Sequence, residues 1–217
     1  MRNFTTMNWT NNIKITNEDN MALMSRYPDD YFDLAIVDPP YGIGAGSNSF
    51  KNGTSKNKTI DFRENDWDKE TPKKEYFKEL FRVSKNQIIW GANYMTQYLP
   101  QSMGWVFWDK GTGNNSYADR ELAFTSFNKA LRKYKVSWVG ADAKNGLERI
   151  HPTEKPTKLY KWLLNNYAKQ GDKILDTHLG SGSIAIACHQ MGFELTGCEL
   201  DAEYYKAAHK RFKQQTA

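Results

Sequence analysis

Short apolar runs alternate along the chain with longer stretches in which apolar residues recur three and four positions apart. The short runs end at polar or glycine-rich turns and predict strands. These are the predicted strands: 13–16, 33–37, 87–90, 105–110, 121–125, 173–176 and 193–198. The longer stretches predict helices. These are the predicted helices: 20–26, 72–83, 94–99, 156–167, 184–191 and 202–214. This order of strands and helices is typical of an α/β domain.

An acidic turn follows the second predicted strand, where the apolar run 34–37 leads into Asp38, Pro39, Pro40 and Tyr41. Two successive prolines fix the backbone and remove two donors, so the carbonyl oxygens stay available as acceptors. A carboxylate, a rigid carbonyl and an aromatic ring together suit a planar base that carries an exocyclic amine. These four residues are therefore candidates for binding an unpaired nucleobase.

A glycine turn follows the sixth predicted strand, in the segment 176–183 with Gly180 and Gly182, and a helix comes next. Glycines let backbone N–H groups approach a ligand, and the helix start favours negative charge. Glu199 ends the next strand, where an acid can bind a ribose diol. This pattern by itself fits a nicotinamide dinucleotide almost as well as S-adenosylmethionine.

Composition and charge narrow the class of protein. The chain has 217 residues, which is typical of one domain, and a formal net charge of +5, which favours a polyanionic partner. No apolar run is long enough to span a membrane, so we expect an intracellular, cytoplasmic protein. Cys188 and Cys198 lack metal-type spacing and are expected in the core, and we expect no metal site.

Two regions have no clear structural pattern. Residues 42–68 are rich in Gly, Asn, Ser, Thr and Lys and are expected to form a mobile loop over the site. Residues 129–150 combine basic residues with Tyr134 and Trp138, which suits phosphate contact and base stacking. A solvated surface with two half-buried aromatic rings is the alternative interpretation.

The two turns together resemble the β-class DNA amino-methyltransferases, in which the acidic catalytic motif precedes the cofactor motif. Asp38 to Tyr41 matches that catalytic motif, and 151–156 matches a His-Pro-Thr-x-Lys-Pro segment. The resemblance implies an α/β, Rossmann-like methyltransferase fold whose sheet has seven strands, mostly parallel with one antiparallel, in circularly permuted order. It also implies a single methyltransferase domain over 1–217, with 129–150 as a reduced target-recognition region.

The resemblance further implies the site residues and partners. Implied contacts with S-adenosylmethionine are Asp19, Asp38, Thr153, Lys155, Asp176, His178, Gly180, Ser181, Gly182, Ser183, Glu199 and Leu200, the last against the cofactor adenine. Double-stranded DNA is the implied partner, and a homodimer is one implied assembly. Thr177-His178 departs from the Pro-Phe usual in this class, which leaves cofactor affinity and its pH dependence open.

The predicted activity is S-adenosylmethionine-dependent methylation of the adenine 6-amino group after base flipping. Asp at the first position of the turn favours adenine within this class. Methylation of the cytosine 4-amino group is the nearest alternative, and methylation of RNA is another. An oxidoreductase that uses a nicotinamide cofactor and a DNA-binding module without catalysis also remain open.

Overall fold

The computed structural model describes residues 7, 9–44, 67–111, 118–137, 150–151 and 153–217. Its strands are β1 (Ile13–Asn17), β2 (Leu34–Val37), β3 (Gln87–Trp90), β4 (Trp105–Asp109), β5 (Arg120–Thr125), β6 (Arg132–Lys135), β7 (Lys173–Asp176) and β8 (Glu194–Glu199). Its α-helices are α1 (Asn20–Met24), α2 (Lys74–Val83), α3 (Thr157–Tyr167), α4 (Ser183–Met191) and α5 (Ala202–Thr216). Most predicted elements are confirmed, with boundaries that differ by at most two residues.

The described strands form one sheet in the order β1-β8-β7-β2-β3-β5-β4-β6. Within it β5 alone runs antiparallel to its neighbours β3 and β4, while every other pairing is parallel. The predicted mixed sheet with one antiparallel strand is therefore confirmed. The described sheet has eight strands, however, so the predicted count of seven was one too low.

The additional strand is β6, which lies at the sheet edge beside β4. Its residues Arg132, Lys133 and Lys135 are exposed, and it lacks the apolar alternation that marks a half-buried strand. Backbone pairing with β4 holds it, together with the ring of Tyr134, which stacks on Trp162 of α3 at 4.9 Å. A strand held in this way leaves little trace in the hydrophobic pattern.

The predicted helix at 94–99 was wrong, because the chain forms two short 3₁₀ turns there, Ala92–Tyr94 and Thr96–Tyr98. Buried Met95 separates them with a φ of −133°, which is outside the helical range. Pro100 follows immediately, and the segment is too short for several α-helical turns. The turns lie at the carboxyl end of β3.

Helices cover both faces of the sheet. One apolar cluster joins Leu34 and Ile36 to residues of α3, α4 and α5, and the other joins Ala35 and Val37 to residues of α1 and α2. β2 and β7 are parallel neighbours, yet β2 leads to α2 on one face and β7 leads to α4 on the other. Such a reversal opens a crevice at the carboxyl ends of the two strands.

Parts of two predicted regions lie outside the described residues, namely 45–66 of the loop 42–68 and 138–149 of the region 129–150. The mobile loop and the target-recognition region therefore stay predictions. Cys188 and Cys198 are free and buried, as expected for core residues. Among the described helices, none has the length and apolarity needed to cross a membrane.

Candidate active site

The acidic turn ends β2, whose four residues are all buried. Asp38 Oδ1 accepts a hydrogen bond of 2.6 Å from the Tyr41 hydroxyl, and Asp38 Oδ2 accepts one of 2.5 Å from Lys155 Nζ. The two prolines keep the backbone of the turn out of the sheet and out of any helix. The carboxylate is thus fixed on one side by a side chain of its own turn and on the other by Lys155, which is distant in sequence.

The glycine turn connects β7 to α4. Gly180 and Gly182 have φ angles of +53° and +74°, a region that side chains rarely adopt. The Gly180 N–H donates to Glu199 Oε2 over 2.8 Å, and Glu199 Oε1 accepts from the Asp201 N–H over 2.9 Å. Glu199 therefore joins the glycine turn to the start of α5 through backbone groups.

Both turns line one cavity of about 850 Å³. The expected site residues in its lining are Asp19, Asp38, Pro40, Thr153, Lys155, His178, Gly180, Ser181, Glu199 and Leu200. Residues from the acidic turn and the glycine turn, which are some 140 positions apart in the chain, therefore face the same space. This volume is in the range of sites for small molecules and cofactors.

Five expected site residues within the described part of the chain lie outside this lining: Pro39, Tyr41, Asp176, Gly182 and Ser183. Asp176 and Ser183 are each only 2% exposed. Asp176 Oδ1 accepts from the His178 N–H over 3.0 Å, and burial raises the pKa of Asp176 to about 8. The buried positions of Asp176 and Ser183 fit residues that stabilise the glycine turn and do not line the cavity.

Three charged side chains lie around Asp38: Lys155, which is buried, and Glu121 and Lys110, which are half-buried. Lys155 Nζ lies 3.0 Å from Glu121 Oε2, and Lys110 Nζ lies 2.5 Å from Glu121 Oε1. Burial raises the pKa of Asp38, and Lys155 offsets part of that rise. Burial also acts to raise the pKa of Glu121, but Lys155 and Lys110 outweigh it and lower that pKa.

Lys155 stays cationic in this set. Burial acts to lower the pKa of Lys155, but Asp38 and Glu121 outweigh it and raise that pKa. Lys110 completes the set as a second cation beside Glu121. Two carboxylates and two ammonium groups therefore give the set no net charge, which limits the cost of burying it.

The ring of Tyr41 lies against Gly91, a residue that the sequence analysis did not identify. A Cβ atom at position 91 would lie 2.0 to 2.5 Å from three consecutive ring atoms of Tyr41, so the ring face covers this glycine. Gly91 has a φ of +64°, and the Tyr94 ring stacks on Tyr41 at 5.4 Å. The signal in the sequence is only one glycine directly after an apolar strand.

His178 takes part in a chain of neutral hydrogen bonds at the cavity wall. Its Nε2 lies 3.0 Å from Asn20 Nδ2 and its Nδ1 lies 2.9 Å from Thr177 Oγ1, which is 2.7 Å from the Tyr76 hydroxyl. One ring edge meets the cavity, but the surrounding protein lowers the pKa of His178 to about 3. The ring is therefore a neutral imidazole whose amide partner donates to Nε2.

Arg211 joins the glycine turn to the segment that carries Lys155. Its guanidinium donates to the Ser181 carbonyl over 2.8 Å and to Ser183 Oγ over 2.9 Å, and it pairs with Glu154 at 3.1 Å. Arg211 is 6% exposed and burial lowers its pKa. The sequence analysis placed Arg211 only within the predicted helix 202–214, and its buried bridging position was missed.

The remaining predicted contacts are placed as follows. Asp19 lines the cavity, but its Oδ1 already accepts from the N–H groups of Met21 and Ala22 and caps α1. Leu200 is 71% exposed at the cavity rim. Lys129 donates to the Asn166 carbonyl over 2.8 Å. Within the described residues, no group of three His, Cys, Asp or Glu side chains could hold a metal ion.

Known proteins resemble this chain in sequence and in fold. A family model described as DNA methylase, of the N6/N4 methyltransferase type, matches residues 109–210. The chain is 23% identical to the Type II methyltransferase M2.DpnII of Streptococcus pneumoniae, over 94% of this chain and 90% of that protein.

Two solved structures share the fold. M1.HpyAVI in complex with SAM has a TM-score of 0.59 at 18% identity and covers 92% of this chain and 98% of its own. The cytosine-N4-specific PvuII DNA methyltransferase has a TM-score of 0.61 at 12% identity and covers 95% of this chain and 92% of its own. Together these findings support a β-class N6/N4 DNA amino-methyltransferase.

Proposed function

We propose that this protein transfers a methyl group from S-adenosylmethionine to the 6-amino group of adenine in double-stranded DNA. The observation that carries the proposal is the common cavity, because it receives Asp38 from one turn and Gly180, Ser181 and Glu199 from the other. A binding module without catalysis would leave the acidic turn in this cavity without a purpose. A nicotinamide-dependent oxidoreductase would likewise leave the acidic turn without a role.

The cavity has groups that suit the cofactor. Glu199 is positioned for a ribose diol, and the glycine turn brings backbone close to the ligand without a Cβ barrier. Burial raises the pKa of Glu199 to about 7, with the Asp201 and Gly180 N–H groups acting against that rise. Thr153, His178 and Leu200 are the further proposed contacts. Bound S-adenosylmethionine supplies an electrophilic methyl group on a sulfonium sulfur.

The acidic turn would hold and activate the amine. The Asp38 carboxylate and the Pro39 carbonyl accept the two N–H bonds of the amino group, which orients the nitrogen lone pair toward the methyl donor. As the nitrogen forms its bond to the methyl carbon, the bond from that carbon to the sulfonium sulfur would break, which leaves a neutral thioether and a positively charged nitrogen. The nearby carboxylate would stabilise that charge until the nitrogen releases one proton to water. No covalent intermediate with the protein is required.

The target base must leave the duplex to reach Asp38, which lies in a cavity. Flipping a base costs a few kcal/mol, and contacts between the flipped base and the site offset that cost. We propose that Tyr41, backed by Gly91 and Tyr94, supports the flipped base. A homodimer and the contribution of residues 129–150 to target choice stay predictions.

The test is transfer of tritiated methyl from S-adenosylmethionine to duplex DNA, followed by digestion and identification of the labelled nucleoside. We expect label in N6-methyldeoxyadenosine and none with the Asp38→Asn variant. The same two acceptors could receive the cytosine amine, so label in N4-methyldeoxycytidine would contradict the adenine assignment alone. Parallel reactions with RNA test the substrate class, and absence of label in any nucleic acid would contradict the function itself.

A further inference from the structure

We propose that Lys155 is a positioning residue for methyl transfer, which fixes the Asp38 carboxylate and the Tyr41 hydroxyl and keeps Asp38 anionic. The inference rests on the proposed function, since it assigns Asp38 to the reacting amine. It departs from the contact with cofactor that the sequence resemblance implies for Lys155. Nothing in the sequence indicates that the Lys155 side chain would contact the acidic turn.

The donors of Lys155 are all engaged by the protein. An ammonium group has three N–H donors. Lys155 Nζ lies 2.5 Å from Asp38 Oδ2 and 3.0 Å from Glu121 Oε2, and it donates to the Tyr41 hydroxyl over 3.1 Å. It also lies 5.4 Å from the centre of the Trp90 ring. No N–H of this group is left to donate a hydrogen bond to the carboxylate of the cofactor.

These bonds close a ring that sets the geometry of the acidic turn. The Tyr41 hydroxyl accepts from Lys155 and donates to Asp38 Oδ1 over 2.6 Å, while Lys155 itself donates to Oδ2. Both carboxylate oxygens are therefore fixed, and each keeps a lone pair for another donor. An amine that enters the site meets an acceptor whose orientation is already determined.

The charge of Lys155 is needed because two half-buried carboxylates lie close to each other. Asp38 and Glu121 both contact Lys155, and without it their repulsion and their burial would favour a neutral Asp38. A neutral Asp38 would stabilise a developing positive charge poorly. The charged and titratable groups near Asp38 come from seven elements or turns: Tyr41, Lys155, Tyr76 of α2, Glu121 of β5, Lys110 after β4, Tyr160 of α3 and Asp176 of β7.

The residue next to Lys155 is joined to the glycine turn through Arg211. This residue, Glu154, pairs with Arg211, which in turn donates to the Ser181 carbonyl of the glycine turn. The Lys155 side chain is only 2% exposed and reaches across to the acidic turn. Lys155 therefore connects the turn that is proposed to bind the cofactor with the turn that is proposed to bind the amine.

The experiment measures the pH profile of kcat with saturating S-adenosylmethionine and DNA, together with the Kd of S-adenosylmethionine by calorimetry. The acid limb of this profile is the pH range in which kcat falls as the pH is lowered. For Lys155→Met we expect the midpoint of the acid limb to rise by at least one pH unit and the Kd to change less than threefold. For Glu121→Gln we expect the acid limb to move down, because a negative charge near Asp38 is removed.

The matched control is Lys110→Met, which removes a cation from the same set of charges but leaves every contact of Asp38 in place. We expect its acid limb to move by less than half the shift of Lys155→Met. Lys155→Arg keeps the charge with a different donor geometry, so we expect a lower kcat with the acid limb close to that of the wild type.

An unchanged acid limb in Lys155→Met overturns the proposal, and a tenfold rise in Kd with that limb unchanged returns Lys155 to a contact with the cofactor. If Lys155→Met does not fold, the pH profile of Glu121→Gln decides the question. An acid limb that stays in place or moves to higher pH in this variant overturns the proposal. A wild-type enzyme that labels no DNA contradicts the proposed function, and this result is separate from any change between variants.

Discussion

The acidic turn and the glycine turn reach the same cavity, but different interactions hold them. Side-chain charges hold the acidic turn, since Asp38 lies in a ring of bonds with Lys155 and Tyr41. Backbone N–H groups hold the glycine turn, through Glu199 and through the left-handed glycines. The first arrangement suits a site where charge develops, and the second suits a site that must only recognise a ligand.

The difference predicts that substitutions in the two turns separate chemistry from binding. Asp38→Ala should lower methyl transfer on the order of 10³-fold or more, because it removes the acceptor that stabilises the positive nitrogen. The affinity for S-adenosylmethionine should change only a few fold. Single-turnover transfer and calorimetry measure the two quantities. Asp29→Ala, at an exposed carboxylate, is the control. Retained methyl transfer by Asp38→Ala would contradict the proposed role of Asp38.

A second prediction concerns the support of the acidic turn. Gly91→Ala would place a methyl group 2.0 Å from a ring atom of Tyr41, so the ring must move. A displacement of this size costs about 10²-fold in transfer, with cofactor affinity unchanged.

Gly171→Ala is the matched control for Gly91→Ala. Gly171 also has a positive φ, +90°, but a Cβ there would meet nothing within 4 Å. Both variants share the backbone strain of a side chain in this region, so a difference in transfer reports the Tyr41 contact. Equal transfer by the two variants would count against a role for the ring position.

A third prediction concerns the glycine turn. Glu199→Gln replaces a carboxylate that accepts from two backbone N–H groups and is proposed to bind ribose. Hydrogen bonds to a charged group contribute about 1.5–3 kcal/mol, so the affinity for S-adenosylmethionine should fall roughly 10- to 100-fold. The kcat at saturating cofactor should stay close to that of the wild type. A loss of kcat with unchanged affinity would remove the contrast between the turns.

The smallest predicted effect concerns His178. Its pKa of about 3 in the folded protein lies below the ordinary value of 6.5, so the unfolded chain alone binds a proton between these values. Stability from this residue is complete above pH 6.5 and is lost as the pH falls.

His178→Phe removes this loss, so its stability relative to the wild type should rise by roughly 1–2 kcal/mol from pH 7.5 to pH 5. Urea unfolding at the two pH values measures this, and comparing values at both pH values cancels the packing change. If the difference in unfolding free energy between the variant and the wild type does not depend on pH, then His178 is protonated in the folded protein.

Much of the fold could be predicted from the sequence because buried strands and amphipathic helices carry strong patterns. β2, β3 and β7 are apolar and end at sharp turn residues, so their ends and the turns beyond them were predictable. β6 was missed because it pairs through backbone groups at an edge with exposed basic side chains. The 3₁₀ turns at 92–98 have a helical pattern over too few residues to form an α-helix.

The candidate site was predictable in its motifs and not in its contacts. Asp38 and Gly180 were identified by local sequence, and the cavity they share depends on β2 and β7 becoming neighbours. The partners of Lys155, the contact between Gly91 and Tyr41 and the bridge of Arg211 join residues far apart in the chain. Spacing along the sequence does not encode such contacts; only packing of the folded chain creates them.

The most direct measurement of the central claim is a crystal structure of the protein with S-adenosylmethionine. We predict that the ligand occupies the cavity with its ribose at Glu199 and its sulfonium methyl group on the side of Asp38. A ligand bound outside this cavity, or one whose methyl group faces away from Asp38 with protein between them, would contradict the account.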